Sequence, residues 1–176
     1  MIRVCFVCMG NICRSPQAEG IFADLVRRAG LQDRIEIDSA GTGDWHVGSL
    51  ADPRTREASL RHGIELTSRA RHFRPEDLAR FDWILVMDEA NLGHVQHLAA
   101  RGNVSADHVR LLRTLDPHAD DHEVPDPYQG GANGFEDVFQ MCRSACVALL
   151  ARICQENGWP ELRAEVVASG SSSSRN

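Results

Sequence analysis

The stretch from Val7 to Pro16, VCMGNICRSP, restricts this chain more than any other. A short apolar run of Ile2, Val4, Phe6 and Val7 leads into it, and an amphipathic pattern leaves it. That succession predicts a strand, a tight loop and a helix, with Cys8 at the strand's carboxyl end and Ser15-Pro16 opening the helix. Five residues separate Cys8 from Arg14. The spacing lets the loop curl until its backbone N–H groups and the Arg14 guanidinium converge above the Cys8 sulfur. Such a concavity binds an oxyanion, helped by the positive end of the following helix. Arg14 adds a planar fork matched to two phosphate oxygens. The same field favours thiolate over thiol at Cys8, and a thiolate held against phosphorus is a nucleophile for phosphoryl transfer. Ser15 has two roles open to it, capping the helix and donating its hydroxyl to the Cys8 sulfur.

The rest of the chain reads as one α/β domain over residues 1–168, followed by a flexible Ser-rich tail at 169–176. Ala18, Ile21, Phe22, Leu25 and Val26 make one helical face that Gly30 ends. Ile35 and Ile37 make a short strand ending at Asp38-Ser39. Asp52-Pro53 starts a helix with Ala58, Leu60 and Ile64, closing at Gly63. Pro75 to Leu78 begins a turn before a buried strand at Phe81 to Met87. Asp88 to Asn91 caps a helix carrying Leu92, Val95 and Leu98. Val109 to Leu112 is the last strand. Val138, Phe139, Cys142, Ala145, Cys146, Leu149 and Ile153 line a long helix that stops near Gly158, and Leu162 to Val167 add a final helical turn. Strands alternating with helices imply a parallel sheet.

Phosphate-ester cleavage also needs a proton for the leaving oxygen. Leu115 to Gly131 is a long loop rich in Asp, His and Pro, and Pro125 and Pro127 stiffen the backbone around Asp126. On pattern alone Asp126 is either a general acid or the middle of a rigid acidic turn. Trp45, in a glycine-rich loop after a strand, is either a cleft wall or a cover for the core.

Residues 8 to 19, CMGNICRSPQAE, resemble the signature of the low-molecular-weight protein tyrosine phosphatases, in its bacterial form. The likeness continues through Asp38-Ser39-Ala-Gly41, Val86-Met-Asp-Glu89 and Val124-Pro-Asp-Pro-Tyr128 and covers residues 2 to 157. It implies a flavodoxin-like three-layer sandwich with a four-stranded parallel sheet in the order 2-1-3-4. It implies hydrolysis of phosphotyrosine and small aryl phosphates through a phosphocysteine, the activity of a protein-tyrosine-phosphatase. Cys8 is then the nucleophile, Arg14 the phosphate clamp, Asp126 the general acid and base, and Ser15 the thiolate's hydrogen-bond donor. Met9, Gly10, Asn11, Ile12 and Cys13 bind phosphate, and Trp45 and Tyr128 face each other across an aryl slot. Asn11 and Ser39 support the loop. Ser68 stands where eukaryotic members place a histidine, and Gln129 where they tend to place a second tyrosine.

Substrates are then phosphotyrosine proteins, with inorganic phosphate as product inhibitor, and no metal or cofactor is required. A monomer is expected. The net charge of −6 argues against nucleic acid, and no apolar run is long enough for a membrane. With an N-terminal strand pattern, a cytoplasmic protein is expected, where six cysteines remain thiols. Redox control is an added expectation: Cys13 can trap an oxidised Cys8 as a disulfide.

Rival readings are weaker. Cys5-Phe-Val-Cys8 has CxxC spacing but strand character and no second pair, and His118 and His122 lie in a Pro- and Asp-rich loop. Thiol-dependent arsenate reduction needs shuttle cysteines after the third strand, and Met87 to Ser105 contains none. Phosphoarginine hydrolysis favours Thr where Ile12 stands. A non-catalytic phosphate-binding module is the remaining alternative.

Overall fold

Four strands form a parallel sheet in the order β2-β1-β3-β4: β1 at Ile2–Cys8, β2 at Ile35–Gly41, β3 at Trp83–Val86 and β4 at Val109–Leu111. The computed structural model describes residues 1–129, 131, 133–160 and 166. The Ser-rich tail, and all of the 162–167 turn but Val166, lie outside the described residues. Helices α1 (Arg14–Arg28) and α5 (Gly134–Glu156) cover one face of the sheet, and α3 (Asp77–Arg80) and α4 (Glu89–Gly102) cover the other. The short helix α2 (Pro53–Arg61) flanks α1 and α5. Sheet order and layering are those expected above.

β1 is buried on both faces because it is central, and its side chains alternate between two cores. Val4, Phe6 and Cys8 join the core under α1 and α5, where Phe6 meets Phe22 edge-on at 5.6 Å. Cys5 and Val7 face the core under α4. Cys5 and Cys8 therefore point to opposite sides of the sheet and form no CxxC pair. In α5, Val138, Phe139, Cys142, Ala145, Cys146, Leu149 and Ile153 are buried at helical spacing. Cys142 and Cys146 pack in the core, where burial pushes the Cys142 thiol up to about 12. Truncating a core phenylalanine such as Phe6 to alanine is worth roughly 3–5 kcal/mol.

Several boundaries differ from the sequence reading. β2 runs on to Gly41, because Asp38 to Gly41 pair with Cys5 to Cys8. β3 is shorter than Phe81 to Met87, spanning the four residues Trp83 to Val86 that pair with Val4 to Val7 of β1. Leu60 is exposed, and α2 buries Thr55 and Ser59 beside the expected Ala58. Pro16 is the third residue of α1, a position whose N–H has no helical partner to lose. Cys13 holds the cap position without a side-chain bond, so Ser15 does not cap the helix.

Candidate active site

The Cys8–Arg14 loop begins where β1 ends at the centre of the sheet. Its neighbours hold it by the carbonyls: Thr42 N–H donates to Cys8 O at 2.9 Å, Gly43 to Met9 O at 2.9 Å and Asp52 to Ile12 O at 2.7 Å. A trans peptide points its N–H away from its C=O, so the amides of Met9, Gly10 and Cys13 face the opposite way, forming a nest for an anion. Asn11 makes the turn with φ +53°, a conformation Asn tolerates. Gly41 is needed because a Cβ there would lie 2.9 Å from Met9 O.

Under the loop, Ser15 Oγ lies 3.0 Å from Cys8 Sγ. Asn11 Nδ2 donates to Ser15 Oγ at 2.9 Å and to Ser39 Oγ at 2.8 Å, while Asn11 Oδ1 accepts from the Arg71 N–H at 2.9 Å. Ser68 lies one step further out, beside the Glu19 carboxylate that accepts from Ser39.

Arg14 is buried beside Cys8. Its Nη1 donates to Asp88 Oδ2 at 2.5 Å and to Val124 O at 3.1 Å, and its Nη2 lies 3.7 Å from Asp126 Oδ2. Burial works against the cation. The Cys8 sulfur, Asp88 and Asp126 outweigh it and raise the guanidinium's pKa above its ordinary value. The loop carrying Asp126 is tied to the sheet at Val124, whose N–H donates to Met87 O at 2.7 Å. Asp126 Oδ1 then accepts from the Tyr128 N–H at 3.0 Å, which fixes the carboxyl's direction.

These groups enclose a cavity of about 250 Å³. Cys8, Met9, Gly10, Ile12, Cys13 and Arg14 form its base, Asp126 overhangs it, and Trp45, His46 and Tyr128 form the sides. Asn11 faces away into the support network. Trp45 is 62% exposed and so covers no core. Gly43 makes room for its ring, since a Cβ there would lie 2.0 Å from the indole. Tyr128 is 61% exposed and would be free to swing, except that the Arg54 guanidinium stacks 4.9 Å from its ring centre and 4.5 Å from that of Phe135. Asp52 holds Arg54 through both oxygens, at 3.0 and 2.9 Å.

Asp88, Arg71, Glu19, His46 and Arg54 were not picked out for the site by sequence reasoning. Asp88 was legible as a helix cap and, like Glu19, as part of a family motif. Arg71 and Arg54 carry no local signal. Asp120, Asp121, His118 and His122 are surface-exposed or nearly so, and none lines the cavity. Among the described residues, no group of three His, Cys, Asp or Glu side chains is gathered as for a metal ion.

A sequence model described as "Low molecular weight phosphotyrosine protein phosphatase" matches residues 3–158. A Streptomyces coelicolor low molecular weight protein-tyrosine-phosphatase is 46% identical over 156 residues, covering 88% of this chain and 94% of its own. The crystal structure of YfkJ from Bacillus subtilis superposes with a TM-score of 0.83 at 43% identity, covering 89% of this chain and 96% of its own. A Drosophila arginine phosphatase has a TM-score of 0.79 at 31% identity, over 86% of this chain and 98% of its own. The chain belongs to the low molecular weight phosphotyrosine protein phosphatase family.

Proposed function

We propose that the protein hydrolyses phosphotyrosine in phosphoproteins, and small aryl phosphates, through a phosphocysteine at Cys8. The observation that carries this reading is the convergence of Cys8, Arg14 and Asp126 on one cavity between two aromatic walls. The Cys8 thiolate attacks phosphorus in line as the ester P–O bond breaks, and Asp126 gives its proton to the leaving phenolate. Water then attacks the phosphocysteine, Asp126 takes the water's proton, and the S–P bond breaks to release phosphate and the thiolate. Arg14 and the loop amides hold the equatorial oxygens through both steps, where charge develops. Ser15 donates to the departing sulfur.

The slot between Trp45 and Tyr128 supports an aryl leaving group over an alkyl one, and apolar Ile12 in the base supports it over a charged guanidine. Met87 to Ser105 holds no cysteine to shuttle electrons from an arsenate adduct, and a docking module would have no use for Asp126 over the nest. Phosphate, bound by the same nest, acts as product inhibitor. The protein works as a cytoplasmic monomer; no helix among the described residues is long and apolar enough to cross a membrane.

The test compares phosphotyrosine, phosphoserine and phosphoarginine peptides with wild-type and Asp126→Ala protein. Phosphotyrosine should be cleaved fastest, with the variant slowed. Faster release from phosphoarginine, or no burst of nitrophenol from p-nitrophenyl phosphate, would overturn the reading.

A further inference from the structure

The hydrogen bonds beneath Cys8 end at a carboxylate. Ser39 Oγ donates to Glu19 Oε2 at 2.5 Å, and Ser68 lies beside the same group. An ionised carboxylate can only accept. The Ser39 proton is thereby committed to Glu19, and the Ser39 oxygen is left to accept from Asn11 Nδ2. The second Asn11 amide proton goes to Ser15 Oγ. Ser15, already accepting, has its own proton to give, with Cys8 Sγ at 3.0 Å and Ala40 O at 3.3 Å as the acceptors in reach. A thiolate is the stronger of the two.

We propose that Glu19 is a positioning residue whose carboxylate sets the direction of the Ser39–Asn11–Ser15 chain and so aims the Ser15 proton at the Cys8 sulfur. Two contacts oppose a flipped Asn11 amide. The flip would turn Nδ2 against the Arg71 N–H that Oδ1 now accepts. It would also turn Oδ1 against a Ser39 oxygen whose proton is held by Glu19. Without Glu19 the second obstacle disappears. The flip then costs the Arg71 bond but lets Ser39 and Ser15 both donate to the Asn11 oxygen, and in that state the thiolate loses its donor.

Glu19 is set from a different side of the molecule. It lines a cavity of about 390 Å³ with Ser68, between α1 and residues 63–68, and that cavity shares no lining residue with the one above Cys8. Asp38, Arg71 and the Cys5 thiol act on the carboxyl electrostatically, and Asp24, Arg27 and Glu65 line the same cavity. Burial, with Asp38 beside it, raises its pKa, while Ser39, Ser68 and Arg71 pull the other way.

The inference rests on Cys8 being the nucleophile, and its test has a readout that needs no turnover. Iodoacetate alkylation of Cys8, followed by mass spectrometry across pH, reports the thiolate directly. Glu19→Ala should move the alkylation midpoint up by about one pH unit and lower kcat about tenfold, as loss of one hydrogen bond to a charged group would. KM should stay within about twofold. Glu19→Gln, which keeps an acceptor oxygen on an amide that can turn, should fall between. An unchanged midpoint, with or without a loss of kcat, overturns the proposal. Should Glu19→Ala fail to fold in a thermal melt, Ser39→Ala breaks the same chain, and an unchanged midpoint there overturns it equally. Wild-type protein inactive on aryl phosphates would sink the proposed function while leaving the alkylation comparison decisive for Glu19.

Discussion

Arg14 and Asp88 meet at 2.5 Å between Nη1 and Oδ2, and the same carboxylate uses Oδ1 to accept the Asn91 N–H at 2.7 Å. One side chain therefore caps α4 and holds the Arg14 guanidinium. The cap fixes Asp88 to the rigid end of a helix, and the ion pair passes that rigidity to Arg14.

Separating the two duties gives a prediction. Asp88→Asn keeps the cap, since Asn is as good an N-cap, but takes the charge from Arg14. It should lower kcat on p-nitrophenyl phosphate by about tenfold with a melting temperature close to wild type. Asp88→Ala should lose the same activity and a further ~1 kcal/mol of stability. Equal melting temperatures for the two variants would show that the cap contributes nothing.

Cys8 and Asp126 have distinct kinetic signatures under the proposed mechanism. Cys8→Ser should leave no measurable turnover, because an alkoxide nucleophile is not available at neutral pH. Asp126→Ala should slow an alkyl-substituted phenyl phosphate by about 10²–10⁴ and p-nitrophenyl phosphate by less, because nitrophenolate leaves without a proton. A substituent-independent loss would assign Asp126 to positioning rather than proton transfer.

Arg54 is predicted to act on substrate affinity by holding Tyr128. Arg54→Ala should raise KM for aryl phosphates by about threefold with kcat within about twofold. It should also alter acid stability in a defined direction. Hydrogen bonds from Arg54 hold the Asp52 carboxyl below its usual range. A folded pKa below the unfolded one contributes stability above the usual aspartate value near ~3.9, lost as pH falls through the folded value. The melting-temperature gap between wild type and Arg54→Ala should therefore be present at neutral pH and close on acidification. A gap that widens below about pH 4 would contradict the linkage.

Cys13 turns its thiol into a small cluster with Ala58 and Phe135, and burial pushes its pKa up to about 12. Peroxide should convert the Cys8 thiolate to a sulfenic acid, which Cys13 then attacks with loss of water to form the disulfide. Because so little Cys13 is ionised at neutral pH, closure should be slow there and accelerate as pH rises. Mass spectrometry after mild peroxide should find the Cys8–Cys13 link. Cys8 sulfinic acid without the link, at every pH, would exclude the trap.

How much was legible follows from how far each contact reaches along the chain. The strand–loop–helix at Cys8 was readable because its residues are neighbours and its alternation is a property of local geometry. The burial of Cys142 and Cys146 was readable for the same reason, being a helical repeat. Leu60 misled because periodicity gives a face without saying which way it points, and packing against α1 and α5 turned Thr55, Ala58 and Ser59 inward. β2 was cut short because Asp38-Ser39 reads as a turn, yet pairing with the central strand outweighs that preference.

The sequence by itself determined the chemistry of the loop: a thiol, a guanidinium and a run of amides within one turn, whatever surrounds them. Only the tertiary structure decided which groups govern them. Asp88 lies 74 residues from Arg14, Arg71 lies 60 from Asn11, and Val124 lies 110 from Arg14. Those partners meet because the sheet order sets β2 and β3 on either side of β1, bringing the ends of three strands to the loop from both flanks. No local propensity encodes that meeting, since it depends on which strands pair.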